Sequence, residues 1–241
     1  MIDRTKVAAL IPSYLEEQQI RTVATRARAQ LDTVLVVDDG SDDRTADEAR
    51  AAGVEVIRHE ANLGKGAAIK TGLRALTEKA GIEYILVLDG DGQHLPEEIP
   101  HFIAQANQSG APMVVGSRMG DLTKMPLVRK LTNLTMSRLI SQACGQAIPD
   151  SQCGFRMFRR DLAVAFLGCP STKYDFETEM LVLASRRGCA IAAASVSTIY
   201  SGEKSKIHPV RDTIRFIQLM TRLRRAAASA PVAVTSGAAV S

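Results

Sequence analysis

The sequence predicts an α/β fold with a mainly parallel β-sheet, and three observations favour this class. Short runs of apolar and β-branched residues alternate with segments of helical length through the first half of the chain. The runs are continuously apolar, which is typical of strands buried on both faces, and their alternation with helices predicts right-handed βαβ units. Finally, 241 residues with 46% hydrophobic and 23% charged residues suit one large globular domain and exclude a disordered chain or a coiled coil.

Five strands and four helices are predicted in the first half of the chain. The strands are expected at residues 7–11, 34–38, 54–57, 84–88 and 113–116. The helices are expected at about residues 16–30, 45–52, 66–79 and 96–108. Ser41 or Asp42 is expected to cap the second helix, because short oxygen-bearing side chains accept hydrogen bonds from the first N–H groups of a helix. Pro96 suits the first turn of the fourth helix.

The second half of the chain mixes helices and strands less regularly. Helices are expected at residues 127–144, 176–187 and 209–225, and strands at residues 155–158 and 189–196. The helix at 209–225 is predicted to be basic and amphipathic, because apolar residues recur at helical spacing among five arginines. Residues 226–241 are uncharged and rich in alanine, serine and valine, and are predicted to form a flexible tail. Since no linker or repeat precedes this tail, residues 1–225 are predicted to form a single domain.

Several classes of protein are excluded by composition. No run approaches the ~20 apolar residues that span a bilayer, so no transmembrane helix is predicted. The charged residues Asp3, Arg4 and Lys6 predict that the chain starts with a strand rather than a signal peptide. The four cysteines form no Cys-x-x-Cys pair and have no histidine at zinc-ligand spacing, which predicts reduced thiols in a cytoplasmic protein. The net charge of +4 is mild, and no nucleic-acid partner is predicted.

Paired carboxylates follow the second predicted strand. Ligands of parallel sheets bind outside the carboxyl ends of the strands, where Asp38 and Asp39 are expected to lie. A carboxylate there can accept hydrogen bonds from a ribose or from a base N–H. The alternative interpretation is a turn followed by a helix cap. A phosphoreceiver domain also has such a pair, but at the end of its first strand, whereas here a full strand–helix unit precedes it.

A glycine-rich segment opens the third predicted helix. In residues 62–66, Asn-Leu-Gly-Lys-Gly, the glycines let the backbone approach a phosphate, and the helix N-terminus offers unpaired N–H groups. Lys65 adds a positive charge. The spacing is not that of a P-loop, and a glycine-rich turn without a ligand is an equal alternative.

The Asp-Gly-Asp sequence at residues 89–91 follows the fourth predicted strand. Two carboxylates at positions i and i+2, separated by a glycine, can bind one hard cation together with diphosphate oxygens. An EF-hand is excluded because His94 and Pro100 occupy the positions that need glycine and glutamate. A simple turn is the alternative, but the position after a buried strand favours metal and diphosphate binding.

The order of these motifs resembles the family 2 glycosyltransferases of GT-A fold, which is a Rossmann-like three-layer α/β/α architecture. The resemblance is closest to the polyprenyl-phosphate sugar synthases of the dolichyl-phosphate mannose synthase group. Its motifs stand at residues 11–16, 36–41, 62–66, 88–93, 115–118, 150–156, 176–180 and 202–206. This chain departs from the family pattern at Leu15, where asparagine is common, and at Asn133, where a serine is expected near the acceptor phosphate. It also has no match to the C-terminal membrane helices of some relatives.

The resemblance implies an inverting transfer from a GDP- or UDP-sugar, assisted by Mg²⁺ or Mn²⁺. The diphosphate leaves with growing negative charge, which a cation and basic groups must stabilise. The residues expected to hold the metal are Asp89, Asp91 and Gln93. The residues expected to bind the donor nucleotide are Pro12, Tyr14, Glu16, Asp38, Asp39, Lys65, Asp89 and Gly90. Asp91 is expected to take part in catalysis.

The same resemblance implies a polyprenyl phosphate acceptor at the cytoplasmic face of the membrane, bound by Arg118 and Arg129, with Arg118 also in the catalytic set. A sugar hydroxyl acceptor would need a general base, for which Asp150 and Glu179 are the candidates. An ion pair with Arg156 is the alternative role for these two carboxylates. The basic segment from residue 204 to residue 225 suits an anionic membrane surface, or equally a soluble helix packed on the domain.

Two other functions remain open at this point. The same donor site could serve a soluble or glycan acceptor, or the chain could be a catalytically silent module that binds nucleotide sugars. The intact Asp89 and Asp91 pair argues against a silent module. The sequence fits a nucleotidyltransferase less well, because it lacks the glycine- and arginine-rich loop that such an enzyme has after its first strand.

Overall fold

The computed structural model of the chain describes residues 1–119, 127–197 and 199, with the backbone alone for residues 127–129. The strands in this part are β1 (Val7–Ser13), β2 (Thr33–Asp38), β3 (Glu55–Arg58), β4 (Tyr84–Val87), β5 (Met113–Ser117), β6 (Arg156–Arg159) and β7 (Ile191–Ser195). The α-helices are α1 (Ile20–Gln30), α2 (Thr45–Ala51), α3 (Lys65–Glu78), α4 (Ile99–Ser109), α5 (Leu127–Cys144), α6 (Arg160–Phe166) and α7 (Asp175–Arg186). Short 3₁₀ helices at Arg4–Lys6 and Pro96–Glu98 precede β1 and α4.

The seven strands form one sheet in the order β3-β2-β1-β4-β6-β5-β7. Its pairs are parallel except where β6 lies antiparallel between β4 and β5. The predicted α/β fold with a mainly parallel sheet is therefore confirmed. Strand β1 lies between β2 and β4, so the loops that follow these three strands meet at one edge of the sheet.

The core forms where helices pack their apolar faces on the sheet. Every residue of β1 is buried. Helix α3 packs on β1 closely because Gly72 has no side chain, and a Cβ there would lie 2.1 Å from Leu10 Cδ1. Helix α4 brings Phe102 against Phe155 with ring centroids 4.3 Å apart, close to the spacing typical of offset aromatic pairs.

Burial and helix capping differ from the predictions at two places. Strand β3 is half exposed rather than buried on both faces, because it is the edge strand of the sheet. The predicted caps of α2 are also wrong. The Asp43 carboxylate accepts the hydrogen bond from the Thr45 backbone N–H at 2.9 Å, whereas Ser41 binds Asp38. Pro96 opens the 3₁₀ turn that leads into α4, as predicted.

Helix α5 has the predicted bounds, while α6 and the antiparallel direction of β6 were not predicted. Helix α6 has only 7 residues and follows β6 without a loop, so its short apolar pattern merges with that of the strand. Within the described residues, no helix is both long and apolar enough to cross a membrane. The predicted basic helix at 209–225 and the tail at 226–241 lie outside the described residues, so the single domain at residues 1–225 stays a prediction.

Candidate active site

The loops after β1, β2 and β4 meet around Ser13, the last residue of β1. The Asp39 backbone N–H donates to the Ser13 carbonyl oxygen at 2.8 Å. On the other side, a Cβ at Gly90 would lie 2.4 Å from Ser13 Oγ, so only glycine permits this approach of the β4 loop. The two acidic motifs of the sequence are thereby brought to the same edge of the sheet, as their positions after the strands predicted.

Asp38 is fully buried and binds the chain itself. Its Oδ1 accepts hydrogen bonds from the Ser41 backbone N–H at 3.1 Å and from the Ser41 hydroxyl. Its Oδ2 pairs with Arg58 Nε at 3.3 Å. The Asp38 carboxylate therefore orders the loop after β2.

Asp39 ties this loop to the glycine-rich segment before α3. Its two oxygens accept hydrogen bonds from the backbone N–H groups of Leu63 at 3.0 Å and Gly64 at 2.8 Å. His59 Nδ1 lies 2.7 Å from Asp39 Oδ1, and Thr71 Oγ1 lies 2.9 Å from His59 Nε2. Asp39 thus positions the N-terminus of α3, and its contact to a nucleotide stays a proposal. Sequence reasoning missed His59 because no motif surrounds it.

The loop after β1 is hydrogen-bonded to the loop after β2 and to the start of α2. Leu15 adopts a φ of 57°, and its backbone N–H donates to Ser41 Oγ at 2.9 Å. Asparagine tolerates this left-handed conformation far better than leucine, which is a physical reason for the asparagine of the family pattern. The Glu16 backbone N–H donates to Thr45 Oγ1 at 2.8 Å. Tyr14 is exposed and Pro12 is buried at the end of β1, so Tyr14 is the more accessible of these donor candidates.

The Asp-Gly-Asp loop concentrates negative charge. Burial, followed by the charge of Asp89, raises the pKa of Asp91 to about 6, and Glu16 adds to this effect. Burial also opposes ionisation of Asp89, but the charge and hydrogen bond of Lys65, together with the weaker effects of neighbouring basic side chains, outweigh it and hold the pKa of Asp89 below its usual value. Asp91 Oδ1 accepts a hydrogen bond from the Gln93 backbone N–H at 2.9 Å, which orders the turn.

Lys65 bridges this loop to α7. Its Nζ lies 2.7 Å from Asp89 Oδ1 and 3.1 Å from Glu177 Oε2. Burial lowers the pKa of Lys65, but the charges of Asp89 and Glu177 outweigh it and raise the pKa above its usual value. The side chain is therefore a permanent cation. Sequence reasoning singled out Glu179 from this segment and missed Glu177, although both belong to one motif.

The residues of this loop fit a divalent cation that is shared with a ligand. After burial, the negative charge of Asp89 is the next largest cause of the raised pKa of Asp91, and a cation beside both carboxylates would offset this repulsion. No three histidine, cysteine, aspartate or glutamate side chains of the described residues converge as a closed metal cage. Mg²⁺ needs none, because it is commonly held by one or two carboxylates and substrate phosphates. The set Asp89, Asp91 and Gln93 has the oxygen chemistry for this role.

Arg118 and Asp150 form a bidentate ion pair. Arg118 Nε and Nη2 donate to the two Asp150 oxygens at 2.7 and 2.9 Å, and the Arg118 backbone N–H donates at 3.2 Å. The Gln152 backbone N–H donates to Asp150 as well, at 3.2 Å. Asp150 is fully buried. The pair joins the end of β5 to the loop before β6.

Arg156 does not form the ion pair with Asp150 or Glu179 that was the alternative prediction. Its three guanidinium nitrogens donate instead to the backbone carbonyl oxygens of Cys153, Ser151 and Glu177. Glu179 is buried and accepts a hydrogen bond from the Ser171 backbone N–H at 3.0 Å. Arg129 lies on α5, where its side chain is outside the described part of the structure, and Asn133 is buried on the same helix.

His94 lies behind the Asp-Gly-Asp loop, and its titration gives a prediction. Burial lowers the pKa of His94 from 6.5 to about 4, although Asp89 acts in the opposite direction. In the unfolded chain the His94 imidazole binds a proton below about pH 6.5, but in the folded chain it does so only below about pH 4. Between these two pH values the unfolded chain binds more protons, so acid favours unfolding. The expected loss of stability on going from pH 7 to pH 4 is about 3 kcal/mol from this group.

The variant His94→Phe should therefore lose less stability in acid than the parent, because it keeps a ring beside Phe155 but cannot bind a proton. In the parent these two rings lie 5.3 Å apart. Urea unfolding of both proteins at pH 7 and pH 4.5 measures the difference. Equal pH dependence in the two proteins would show that His94 is not buried as a neutral group.

The comparisons with known proteins identify the family of this chain. The model of the family "Glycosyl transferase family 2" matches residues 8–166, which include β1 to α6 and both acidic motifs. The chain is 31% identical over 214 residues to UDP-N-acetylglucosamine–dolichyl-phosphate N-acetylglucosaminyltransferase of Methanococcus voltae, covering 80% of this chain and 85% of the relative. It is 29% identical over 206 residues to undecaprenyl-phosphate mannosyltransferase of Micrococcus luteus, covering 80% of this chain and 84% of that protein.

A solved structure shares the fold. It is the crystal structure of glucosyl-3-phosphoglycerate synthase from Mycobacterium tuberculosis in complex with Mn²⁺, uridine diphosphate and glucosyl-3-phosphoglycerate. The TM-score is 0.64 at 20% identity, and the match covers 95% of this chain and 82% of the other. That protein is a GT-A structure with a divalent cation and a nucleoside diphosphate. The present chain therefore belongs to glycosyl transferase family 2 and is a glycosyltransferase of GT-A fold.

Proposed function

We propose that this chain transfers a sugar, with inversion, from a nucleotide-diphosphate sugar to a polyprenyl phosphate at the cytoplasmic face of a membrane. Two relatives that match four-fifths of this chain act, by their names, on dolichyl phosphate and undecaprenyl phosphate. The donor is a UDP- or GDP-sugar. The reaction is expected to depend on Mg²⁺ or Mn²⁺, in line with the Mn²⁺ and uridine diphosphate of the solved GT-A structure.

The donor is proposed to lie along the carboxyl ends of β1, β2 and β4. The residues assigned to the donor site are Pro12, Tyr14, Glu16, Asp38, Asp39, Lys65, Asp89 and Gly90. Asp38 and Asp39 support the site through the loops they bind. Lys65 and the first turn of α3 bring positive charge toward the expected diphosphate.

A phosphate acceptor is supported by the burial and hydrogen bonding of Asp150 and Glu179, the two carboxylates considered as general bases. Asp150 is fully buried and its oxygens accept four hydrogen bonds, three of them from Arg118. Glu179 is also buried. A sugar hydroxyl needs a base to remove its proton, whereas a phosphate monoester is already ionised at neutral pH. This observation carries the proposal of a phosphate acceptor.

The proposed chemistry is one displacement at the anomeric carbon. An oxygen of the acceptor phosphate attacks on the side opposite the diphosphate, a new C–O bond forms, and the C–O bond to the diphosphate breaks. No proton needs to be removed, and the electron pair leaves with the diphosphate. When bound at Asp89, Asp91 and Gln93, the cation neutralises the charge that develops on that group. Lys65 adds its own charge there, and Arg118 and Arg129 are proposed to orient the acceptor phosphate.

Product analysis tests this proposal. The full chain is incubated with UDP- and GDP-sugars and Mn²⁺, with either a short-chain polyprenyl phosphate or the soluble acceptor 3-phosphoglycerate. A glycosylated lipid phosphate formed only with the first acceptor is the expected product. Transfer to phosphoglycerate alone would favour the soluble-acceptor alternative. Donor binding without transfer or hydrolysis would favour a silent nucleotide-sugar binding module.

Peripheral membrane binding is a separate prediction that rests on charge. The segment at 209–225 carries five arginines, and each basic residue near an anionic bilayer contributes about 1 kcal/mol of attraction. We therefore expect the chain to co-sediment with anionic vesicles at low salt. Deleting residues 209–241 should reduce sedimentation, and so should high salt, because ions screen charges over about 8 Å at physiological ionic strength. Neutral vesicles are the control, and equal sedimentation in all conditions would contradict the prediction.

A further inference from the structure

An ion cluster beside the expected metal loop includes Glu177, a carboxylate for which the proposed reaction has no role. Lys65 Nζ lies 2.7 Å from Asp89 and 3.1 Å from Glu177. The three side chains are 16%, 25% and 14% exposed, so they are largely shielded from water. Ion pairs in such surroundings are much stronger than on an open surface. Lys65 is therefore strongly bound, but it is shared between two partners.

The backbone around the cluster holds these partners in place. A Cβ at Gly154 would lie 2.6 Å from Asp89 Oδ2 and 3.2 Å from Glu177 Oε1, so the missing side chain lets both carboxylates approach. Arg156 donates to the Glu177 carbonyl oxygen and to the Ser151 carbonyl oxygen, and so joins α7 to the loop before β6. Gly154 and Arg156 therefore fix the positions of the two carboxylates that Lys65 contacts.

The cluster and a bound cation would compete for one carboxylate. Asp89 carries one negative charge, and Lys65 already lies against its Oδ1. A divalent cation held by Asp89 would repel the ammonium group, which would favour a shift of Lys65 away from Asp89. Glu177 is the second carboxylate within reach, so Lys65 can shift toward it and keep an ionised partner.

We propose that Glu177 is a positioning residue that retains Lys65 when a divalent cation binds Asp89. Without the cation, Lys65 pairs with both carboxylates. With the cation bound, Glu177 would keep Lys65 beside the departing diphosphate, where the positive charge of Lys65 stabilises the leaving group. The shift of Lys65 away from Asp89 would then cost less free energy than it would without Glu177. Glu177 thereby raises the affinity of the site for the cation. This inference rests on the proposed metal site at Asp89 and Asp91.

A double-mutant cycle measured by Mn²⁺ binding tests the proposal without turnover. Free Mn²⁺ is followed by electron paramagnetic resonance for the parent, Glu177→Gln, Lys65→Met and the double variant, each with and without uridine diphosphate. In the presence of Lys65, Glu177→Gln should weaken Mn²⁺ binding about tenfold, the effect of losing one charged hydrogen-bond partner. In the Lys65→Met background the same change should alter the affinity less than about twofold.

Two results would overturn the proposal. An equal loss in both backgrounds would mean that Glu177 acts by its own charge or as a metal ligand, and no loss in either would remove its role. Asp175→Asn is the matched control, because it deletes a negative charge two residues away on the same helix. It should leave Mn²⁺ affinity within about twofold of the parent, since the charge it deletes has no part in the cluster.

Circular dichroism and thermal unfolding verify that each variant folds. If Lys65→Met does not fold, Lys65→Gln takes its place, because an amide still donates hydrogen bonds to the carboxylates without the charge. The proposed metal site is tested separately by Asp91→Asn. If the parent binds Mn²⁺ no better than Asp91→Asn, the metal site itself is wrong. If binding depends on Asp91 but the cycle shows no coupling, only the role of Glu177 is wrong.

Discussion

Replacing Asp91 with asparagine is expected to weaken Mn²⁺-dependent binding of the nucleotide-diphosphate donor about a hundredfold while leaving the fold intact. The asparagine oxygen can still accept the hydrogen bond that Asp91 receives from the Gln93 backbone N–H at 2.9 Å, so the turn is preserved. The substitution removes one of the two negative charges expected to face the cation. Losing an ionised partner of this kind costs about 3 kcal/mol, which corresponds to about a hundredfold in affinity.

Calorimetry with UDP- and GDP-sugars, with and without Mn²⁺, measures this effect. Asp47→Asn is the control, because Asp47 lies on α2, is 75% exposed and forms an ion pair with Arg50 on the same helix. Its donor affinity should match that of the parent. An Asp91→Asn protein whose donor affinity still rises with Mn²⁺ as in the parent would rule out Asp91 as a ligand.

Replacing Arg118 with methionine is expected to lower the free energy of unfolding by about 3–5 kcal/mol. This is the usual cost of removing one partner of a buried ion pair. Arg118 is 11% exposed and holds the fully buried Asp150 with two side-chain hydrogen bonds of 2.7 and 2.9 Å. Methionine fills a similar volume but leaves the buried Asp150 carboxylate without its ion-pair partner. The double variant with Asp150→Asn should recover part of the loss, because the neutral amide is less costly to bury.

The chain contains a matched control for this experiment. Arg159 and Asp161 form the same bidentate geometry, with distances of 2.8 and 2.6 Å, but both side chains are at least half exposed. Arg159→Met should therefore cost less than about 1 kcal/mol in urea unfolding. If Arg118→Met and Arg159→Met lowered the free energy of unfolding by the same amount, the Arg118–Asp150 pair could not be buried as described.

Strands and helices were predictable because their signals are local. The apolar runs of β1, β2, β4 and β5 are read directly from neighbouring residues, and the observed bounds differ from the predicted ones by at most two residues. Helix α5 begins and ends where its pattern predicted. The exposure of β3 and the residue that caps α2 could not be predicted from neighbouring residues alone. Strand β3 was predicted from the apolar Val56 and Ile57, but at the edge of the sheet these two are only half-buried, and Glu55 and Arg58 are exposed.

The acidic motifs were predictable for a related reason. Asp38 ends β2, Asp39 follows it, and Asp89 and Asp91 follow β4, and in a parallel sheet the strand ends share one edge. Their side-chain partners could not be predicted. Asp39 holds Leu63 and Gly64, which lie 24 and 25 residues away along the chain.

What the sequence by itself determined is the α/β fold, the glycosyltransferase family and the acidic loop expected to hold a cation, because each depends on the order of short contiguous motifs. Only the tertiary structure decided which charges meet. Lys65 and Glu177 are 112 residues apart and Arg118 and Asp150 are 32 apart, yet both pairs are in contact. Such pairings depend on how α3, α7 and the loops pack on the sheet. A charged residue carries no local signal of its partner, because burial and distance, which set the strength of an ion pair, arise only after the chain has folded.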